Sequence, residues 1–231
     1  MTPGTLHFSD VACGYGDTIV VRGVSGEVAP GQVLGVLGRN GVGKSTLMKA
    51  LAGFLPLAGG SVRWGGRDLA ALPPHARLGA GIAYAPQENV VFGELSVDEN
   101  LWLHVRGRRD GRYRSLLQAF PRLEERRRQR AGSLSGGERK LLSFARTLAL
   151  GAPLSMLDEP TEGVQPENID RMAALVNEAA GTGRGFVVVE QNLSFLEAVA
   201  THILVLDHGE PVLAGDMRAL DRDALERHLV V

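Results

Sequence analysis

An α/β fold built on a parallel sheet is predicted by three observations. Val33-Leu34-Gly35-Val36-Leu37 is an unbroken apolar run of the kind that makes a strand buried on both faces. Gly38-Arg39-Asn40-Gly41-Val42-Gly43-Lys44-Ser45 follows it directly as a complete glycine-rich phosphate-binding loop, and Ser45 to Leu51 then has the apolar spacing of a helix. Farther on, a second mostly apolar strand, Leu154 to Leu157, leads into Asp158-Glu159-Pro160, so two carboxylates stand at the carboxyl end of a strand, where ligands bind in open α/β sheets.

The remaining elements follow from punctuation. Leu6 to Val28 and Gly60 to Gly66 read as short strands and hairpins. Gly81 to Ala85 is a short strand that runs through Pro86 to Gln87, and Ser96-Val97-Asp98-Glu99 is a capping box that starts a helix through Leu103. From there to Leu150 the pattern is mostly helical, so residues 87–150 are expected to form a helical subdomain inserted into a core made of residues 1–86 and 151–231, the whole being one domain. Strands are expected at Val187 to Val189 and Ile203 to Leu206, then a hairpin near Gly209 to Gly215 and one or two helices from Asp216 to Leu229.

The chemistry of the first loop is that of nucleotide binding. Glycines let backbone N–H groups close around phosphate oxygens, and the helix dipole adds partial positive charge at the same place. Gly38, Asn40, Gly41 and Gly43 are the cradle; Lys44 reaches the β- and γ-phosphates, the Ser45 hydroxyl completes a Mg²⁺ shell, and Thr46 adds a hydroxyl contact. Asp158 holds Mg²⁺ through water and Glu159 polarises the attacking water, the two side chains pointing to opposite faces as neighbours on a strand do. Ser155, a hydroxyl in a buried strand, is expected to bond nearby backbone. Ser135, Gly136 and Gly137 form a second helix N-terminus, because Leu141, Leu142, Ala145 and Leu148 keep helical spacing from Glu138 to Leu150.

Leu134-Ser135-Gly136-Gly137-Glu138, lying between a phosphate loop and a paired-acid strand, resembles the signature motif of ABC transporter ATP-binding subunits, with Glu138 where Gln is commoner. The resemblance covers essentially the whole chain. It implies a P-loop NTPase of the ABC type: a RecA-like core with an antiparallel β subdomain and an inserted helical subdomain. It also implies that Ser135, Gly136 and Gly137 bind the γ-phosphate of ATP held by a second ATPase subunit, so that each ATP is sandwiched between two chains. Tyr15, in Gly14-Tyr15-Gly16, resembles the aromatic that stacks on adenine, and Gln87 the glutamine that touches Mg²⁺ and links the core to the helical subdomain. Gln191 stands where most members place a switch histidine; it can donate a hydrogen bond to phosphate but carries no charge. Gln191 in Val189-Glu190-Gln191 and the turn Thr161-Glu162-Gly163 both resemble one subgroup, the second ATPase subunit of importers for branched-chain amino acids, urea and short amides. The implied partners are transmembrane permease subunits and an external substrate-binding protein, with the ATPase on the cytoplasmic face of the inner membrane. An exporter subunit and a non-transport ABC ATPase are the alternatives.

Composition agrees with a subunit that does not itself cross a membrane. The chain has 231 residues, 44% of them hydrophobic, and a net charge of -1, enough for one substantial core. No apolar run approaches the roughly twenty residues a bilayer crossing needs, and no secretion signal is read at the start. The single cysteine, Cys13, rules out an internal disulfide and is expected to be a small packing residue. Ten arginines between Arg106 and Arg130 read as a solvated helical face, and no nucleic-acid partner is expected. Val90, Val91 and Phe92 are candidates for an exposed apolar surface that meets a permease helix, whereas Trp102 is expected to pack the subdomain's own core.

Overall fold

Residues 4–88, 90–103 and 111–229 are described by a computed structural model. Its amino-terminal half opens with β1 (Leu6–Tyr15) and β2 (Thr18–Val28), then β3 (Val33–Leu37), α1 (Lys44–Leu51), β4 (Leu57–Trp64) and β5 (Arg67–Asp68). After α2 (Pro74–Gly79) and β6 (Ile82–Ala85), the helices α3 (Val97–Trp102), α4 (Gly111–Ala119), α5 (Pro121–Glu125) and α6 (Gly136–Ala149) follow, with a 3₁₀ turn at Ala131–Ser133. The chain returns through β7 (Leu154–Asp158), α7 (Pro166–Gly181), β8 (Gly185–Glu190), α8 (Leu193–Val199), β9 (His202–Asp207) and β10 (Glu210–Asp216). It closes with a 3₁₀ turn at Met217–Ala219 and α9 (Arg222–Glu226).

Two sheets organise these elements. β2-β1-β4-β5 is antiparallel, and β1 and β2 are long strands rather than the short ones expected. The second sheet has the order β10-β9-β3-β8-β7-β6, parallel from β9 to β6 with only the β9-β10 hairpin antiparallel. Alternation explains how this sheet is buried on both sides. On β3 and β8, Leu34, Val36, Val187 and Val189 face α1 and the antiparallel sheet, joining Leu47, Met48, Leu6 and Phe8. Val33, Leu37, Phe186 and Val188 face the other way, into a core shared with Leu142 and Phe144 of α6, Met172 and Val176 of α7, and Phe195 and Leu196 of α8.

Register then places the strand ends. Leu37 pairs with Glu190, Asp158 with Val189, and Ala85 with Leu157, so the residues that leave β3, β8, β7 and β6 emerge side by side at one edge. The capping box at Ser96 forms as expected, its hydroxyl accepting from the Glu99 N–H. Two helices between Leu150 and Val187 and after it, α7 and α8, carry no counterpart among the sequence expectations. Ser155 is satisfied differently from the expectation: Arg184 donates to its Oγ at 3.0 Å, because a guanidinium that already binds the carbonyls of Leu148 and Ala152 has a further N–H to spare. Cys13 is buried, and burial pushes its thiol up to about 11.

Within the arginine run, Arg106 to Arg109 lie outside the described residues. Farther along, Arg122, Arg126, Arg127 and Arg130 each pair with a carboxylate, those of Glu125, Glu138, Asp98 and Glu94. These four cations are therefore paired on a solvated face. Trp102 packs edge-on against Tyr113 at 4.8 Å and is buried. Of the apolar triplet before α3, Val90 is buried and Val91 packs against the core, which corrects the expectation of an exposed stripe; Phe92 alone is open, at 57% exposure.

Candidate nucleotide site

The loop from Gly38 to Lys44 closes because Gly41 and Gly43 take φ of 81° and 104°, backbone conformations open to glycine and strained for other residues. Gly43 is also the N-cap of α1, and no side chain caps that helix, so the N–H groups of its first turn have no competing side-chain acceptor. Lys44 curls back under the loop at 3% exposure, donating to the carbonyls of Gly38 at 2.8 Å and Arg39 at 2.9 Å. Thr46 is buried in the first turn, where its carbonyl receives the Cys13 thiol.

Asp158 and Glu159 arrive from β7 and share this space. The Ser45 hydroxyl donates to Asp158 Oδ1 at 3.0 Å and stands 3.3 Å from the Gln87 side-chain oxygen. Tyr84 donates its phenolic O–H to Asp158 Oδ2 at 3.2 Å. Burial raises the Asp158 carboxyl above the usual range, while these two hydrogen bonds pull it back. Glu159 is 5% exposed; its Oε1 is 3.3 Å from Lys44 Nζ and its Oε2 accepts from Gln87 Nε2 at 2.7 Å.

The opposite-face expectation for the two acids is overturned here. Glu159 leaves the strand with φ of 47°, a left-handed conformation, so the alternation rule stops at Asp158. Both carboxylates consequently meet the phosphate loop, one at Ser45 and the other at Lys44. Just past the end of β8, Gln191 Nε2 donates to Asn40 Oδ1. Gln191 thus borders the same loop.

Other expected site residues sit farther out. Tyr15 is half exposed beside α1, with the Lys49 ammonium 5.9 Å from its ring centre. Ser135 caps α6: its oxygen accepts from the Glu138 N–H, and the Glu138 carboxylate accepts from the Ser135 N–H at 2.9 Å. Gly136 and Gly137 form the first turn. Among the described residues no hydrogen bond joins this helix end to the phosphate loop of the same chain.

Two participants went unnoticed in the sequence. Tyr84 is one, legible only as an aromatic three residues before Gln87. Glu190 is the other, buried at the end of β8, where it accepts from the backbone N–H groups of Thr161, Gln191 and Asn192 and so fixes the turn after Glu159. A Mg²⁺ ion would find only oxygen donors here, from Ser45, Asp158 and Gln87, which suits a hard cation. Among the described residues no three His, Cys, Asp or Glu side chains converge on one point.

A parallel sheet with a lysine-bearing loop, a buried acid pair and a separate serine-capped glycine helix defines a nucleotide-binding cassette. The ABC transporter family model matches residues 21–162. The high-affinity branched-chain amino acid transport ATP-binding protein BraG of Pseudomonas aeruginosa is 35% identical over 90% of this chain and 91% of its own. The lipopolysaccharide export system ATP-binding protein LptB of Escherichia coli is 33% identical over 91% and 90%. A solved ATP binding subunit of an ABC transporter superimposes with a TM-score of 0.84 at 27% identity, covering 96% of this chain and 98% of that one. The chain therefore belongs to the ABC transporter ATP-binding family, whose members hydrolyse ATP to power transport.

Proposed function

We propose that this chain is the ATP-hydrolysing subunit of an ABC importer for branched-chain amino acids, urea or short amides. The observation that carries the catalytic part is the convergence of Lys44, Ser45, Gln87, Asp158 and Glu159 within hydrogen-bond or ion-pair reach of one another. ATP binds with its phosphates in the Gly38 to Lys44 loop, Asn40, Gly41 and Gly43 lending backbone N–H groups and Thr46 supporting the first turn. Lys44, already buried and oriented, neutralises the β- and γ-phosphates. Ser45, Asp158 and Gln87 would hold Mg²⁺, which would supply positive charge against the phosphates. Glu159 polarises the water that attacks the γ-phosphate in line, and Gln191 donates to a γ-phosphate oxygen. Tyr15 stacks on adenine.

The second half of the site comes from another subunit, identical or related. Its Ser135, Gly136 and Gly137 close on the γ-phosphate, so ATP joins the two chains and hydrolysis releases them. Residues 1–86 and 151–231 act as the core, and residues 87–150 as the helical part that moves with each cycle. Permease subunits would meet the surface behind Gln87, where a groove of about 830 Å³ is lined by Phe54, Leu78, Tyr84, Pro86 and Gln87. Attachment would be peripheral, at the cytoplasmic face of the inner membrane; among the described residues no helix is long and apolar enough to cross a membrane. An external binding protein would deliver the substrate.

Likeness to BraG and the Thr161-Glu162-Gly163 and Val189-Glu190-Gln191 segments favour import of amino acids or amides. Likeness to LptB keeps export as the second reading. Glu159→Gln tests the mechanism: with ATP it should elute as a closed dimer in size-exclusion chromatography and release phosphate at under about 1% of the parent rate. Brisk turnover in that variant removes Glu159 from its role.

A further inference from the structure

Lys140 lies in the second turn of α6, and its side chain is only 11% exposed. Its ammonium donates to the backbone carbonyl of Glu159 at 3.0 Å and stands 3.3 Å from the Glu162 carboxylate. The first of these contacts falls on a strained residue. Glu159 has φ of 47°, a left-handed conformation that a non-glycine residue keeps only where its surroundings over-determine it. Its N–H donates to the Val189 carbonyl at 2.9 Å, so β8 pins one side of the residue and Lys140 of α6 pins the other. Gly137, three residues before Lys140 on the same helical face, shows how closely the helix lies on that turn: a Cβ there would stand 2.3 Å from the Gly163 carbonyl oxygen.

We infer that Lys140 is a positioning residue for ATP hydrolysis, holding the Glu159 backbone so that the Glu159 carboxylate stays between Lys44 and Gln87. The inference rests on the proposed role of Glu159. Among the described residues Lys140 makes no hydrogen bond to the phosphate loop, and its charge reaches Asp158 without a hydrogen bond to it, so its loss bears on the rate of the chemical step more than on nucleotide affinity. It also joins two halves of different sites. The helix that begins at Ser135 meets the partner's ATP, while Glu159 serves the chain's own, and one lysine side chain spans them.

Phosphate release and amide exchange, both on the full chain, test this. Lys140→Met, which keeps the aliphatic stem, should lower kcat by about 10-fold or more with KM within about twofold, the pattern of a displaced catalytic group. Lys140→Arg should restore at least half of the parent rate, and Glu162→Gln should keep more than half, since that carboxylate is largely exposed and the carbonyl bond remains. Without nucleotide, the amides of Glu159 and of residues 161–163 should exchange faster in Lys140→Met and at the parent rate in Lys140→Arg. The inference is overturned if exchange is unchanged in Lys140→Met, if KM rises while kcat holds, or if Arg fails to rescue. Should Glu159→Gln turn over like the parent, the role of Glu159 fails, and the exchange measurement still decides whether Lys140 holds the turn.

Discussion

The helix ends at Gly43 and Ser135 both offer a positive dipole and unpaired N–H groups, yet they are built for different tasks. At α1 the cap is a glycine with φ of 104°, no side chain accepts from the first turn, and no acid lies within it. At α6 the cap is a serine engaged in a reciprocal box, and Glu138 places a carboxylate in the first turn. A helix N-terminus carries roughly half a positive charge, so an acid one turn away offsets much of its pull on an incoming anion. On the proposed reading α1 is the permanent grip on ATP and α6 a conditional one. What α6 keeps is specific: the Ser135 oxygen accepts from Glu138, so its own O–H proton remains free to donate.

The sharpest way to break this contrast is Lys44→Ala. Lys44 sits between two loop carbonyls and Glu159, and among the described residues it is the one lysine in contact with both. Phosphate release should fall on the order of 10²–10³-fold, as when a preorganised donor to developing charge is removed. Retention of the parent rate would mean that the loop's backbone alone suffices.

The α1 side of this comparison was legible in sequence and the α6 side only partly so. Gly38 to Ser45 combines a phosphate chemistry with a strand before it and a helix after it, all within twenty contiguous residues, so local pattern was enough. Likewise Leu154 to Asp158 read as a buried strand because nothing in it breaks the apolar run. The reach of Glu159 was not legible, since alternation assumes an extended backbone and the left-handed turn at that residue is imposed by Val189 and Lys140 from distant parts of the chain. Arg184 on Ser155 and Tyr84 on Asp158 are pairings of the same kind, bridging sequence gaps that no periodicity spans. The helix α7 is a different case. Pro166 at its first turn and Ile169, Met172, Ala173 and Val176 on one face are signals of a helix that the sequence itself carries.

Ser135→Ala sharpens the contrast by removing the conditional grip together with the cap bond from the Glu138 N–H, and leaves α1 untouched. ATP binding by the single chain should match the parent, because α1 is untouched, whereas steady-state hydrolysis should fall about 10-fold as the γ-phosphate loses one donor from the partner. Equilibrium binding of a fluorescent ATP analogue beside phosphate release separates the two. Loss of both together would show that α6 contributes within one chain, contrary to the absence of any hydrogen bond between it and the loop among the described residues.

The smallest effect, and the finest test, comes from Glu138→Ala. The carboxylate accepts the Ser135 N–H and pairs with Arg126 at 3.2 Å, so its removal should cost about 1 kcal/mol of stability, or roughly 2–4 °C in Tm for a chain of this size. The same removal strips the opposing charge from the helix end and leaves its dipole unscreened. Introduced into Glu159→Gln, where the closed dimer persists, it should lower the ATP concentration at which half the chains dimerise. Stability and phosphate affinity would then move in opposite directions at one residue, as they must if Glu138 competes with the partner's ATP for the end of α6. A dimer weakened in step with Tm would instead make Glu138 a plain structural cap and leave the two helix ends equivalent as anion sites.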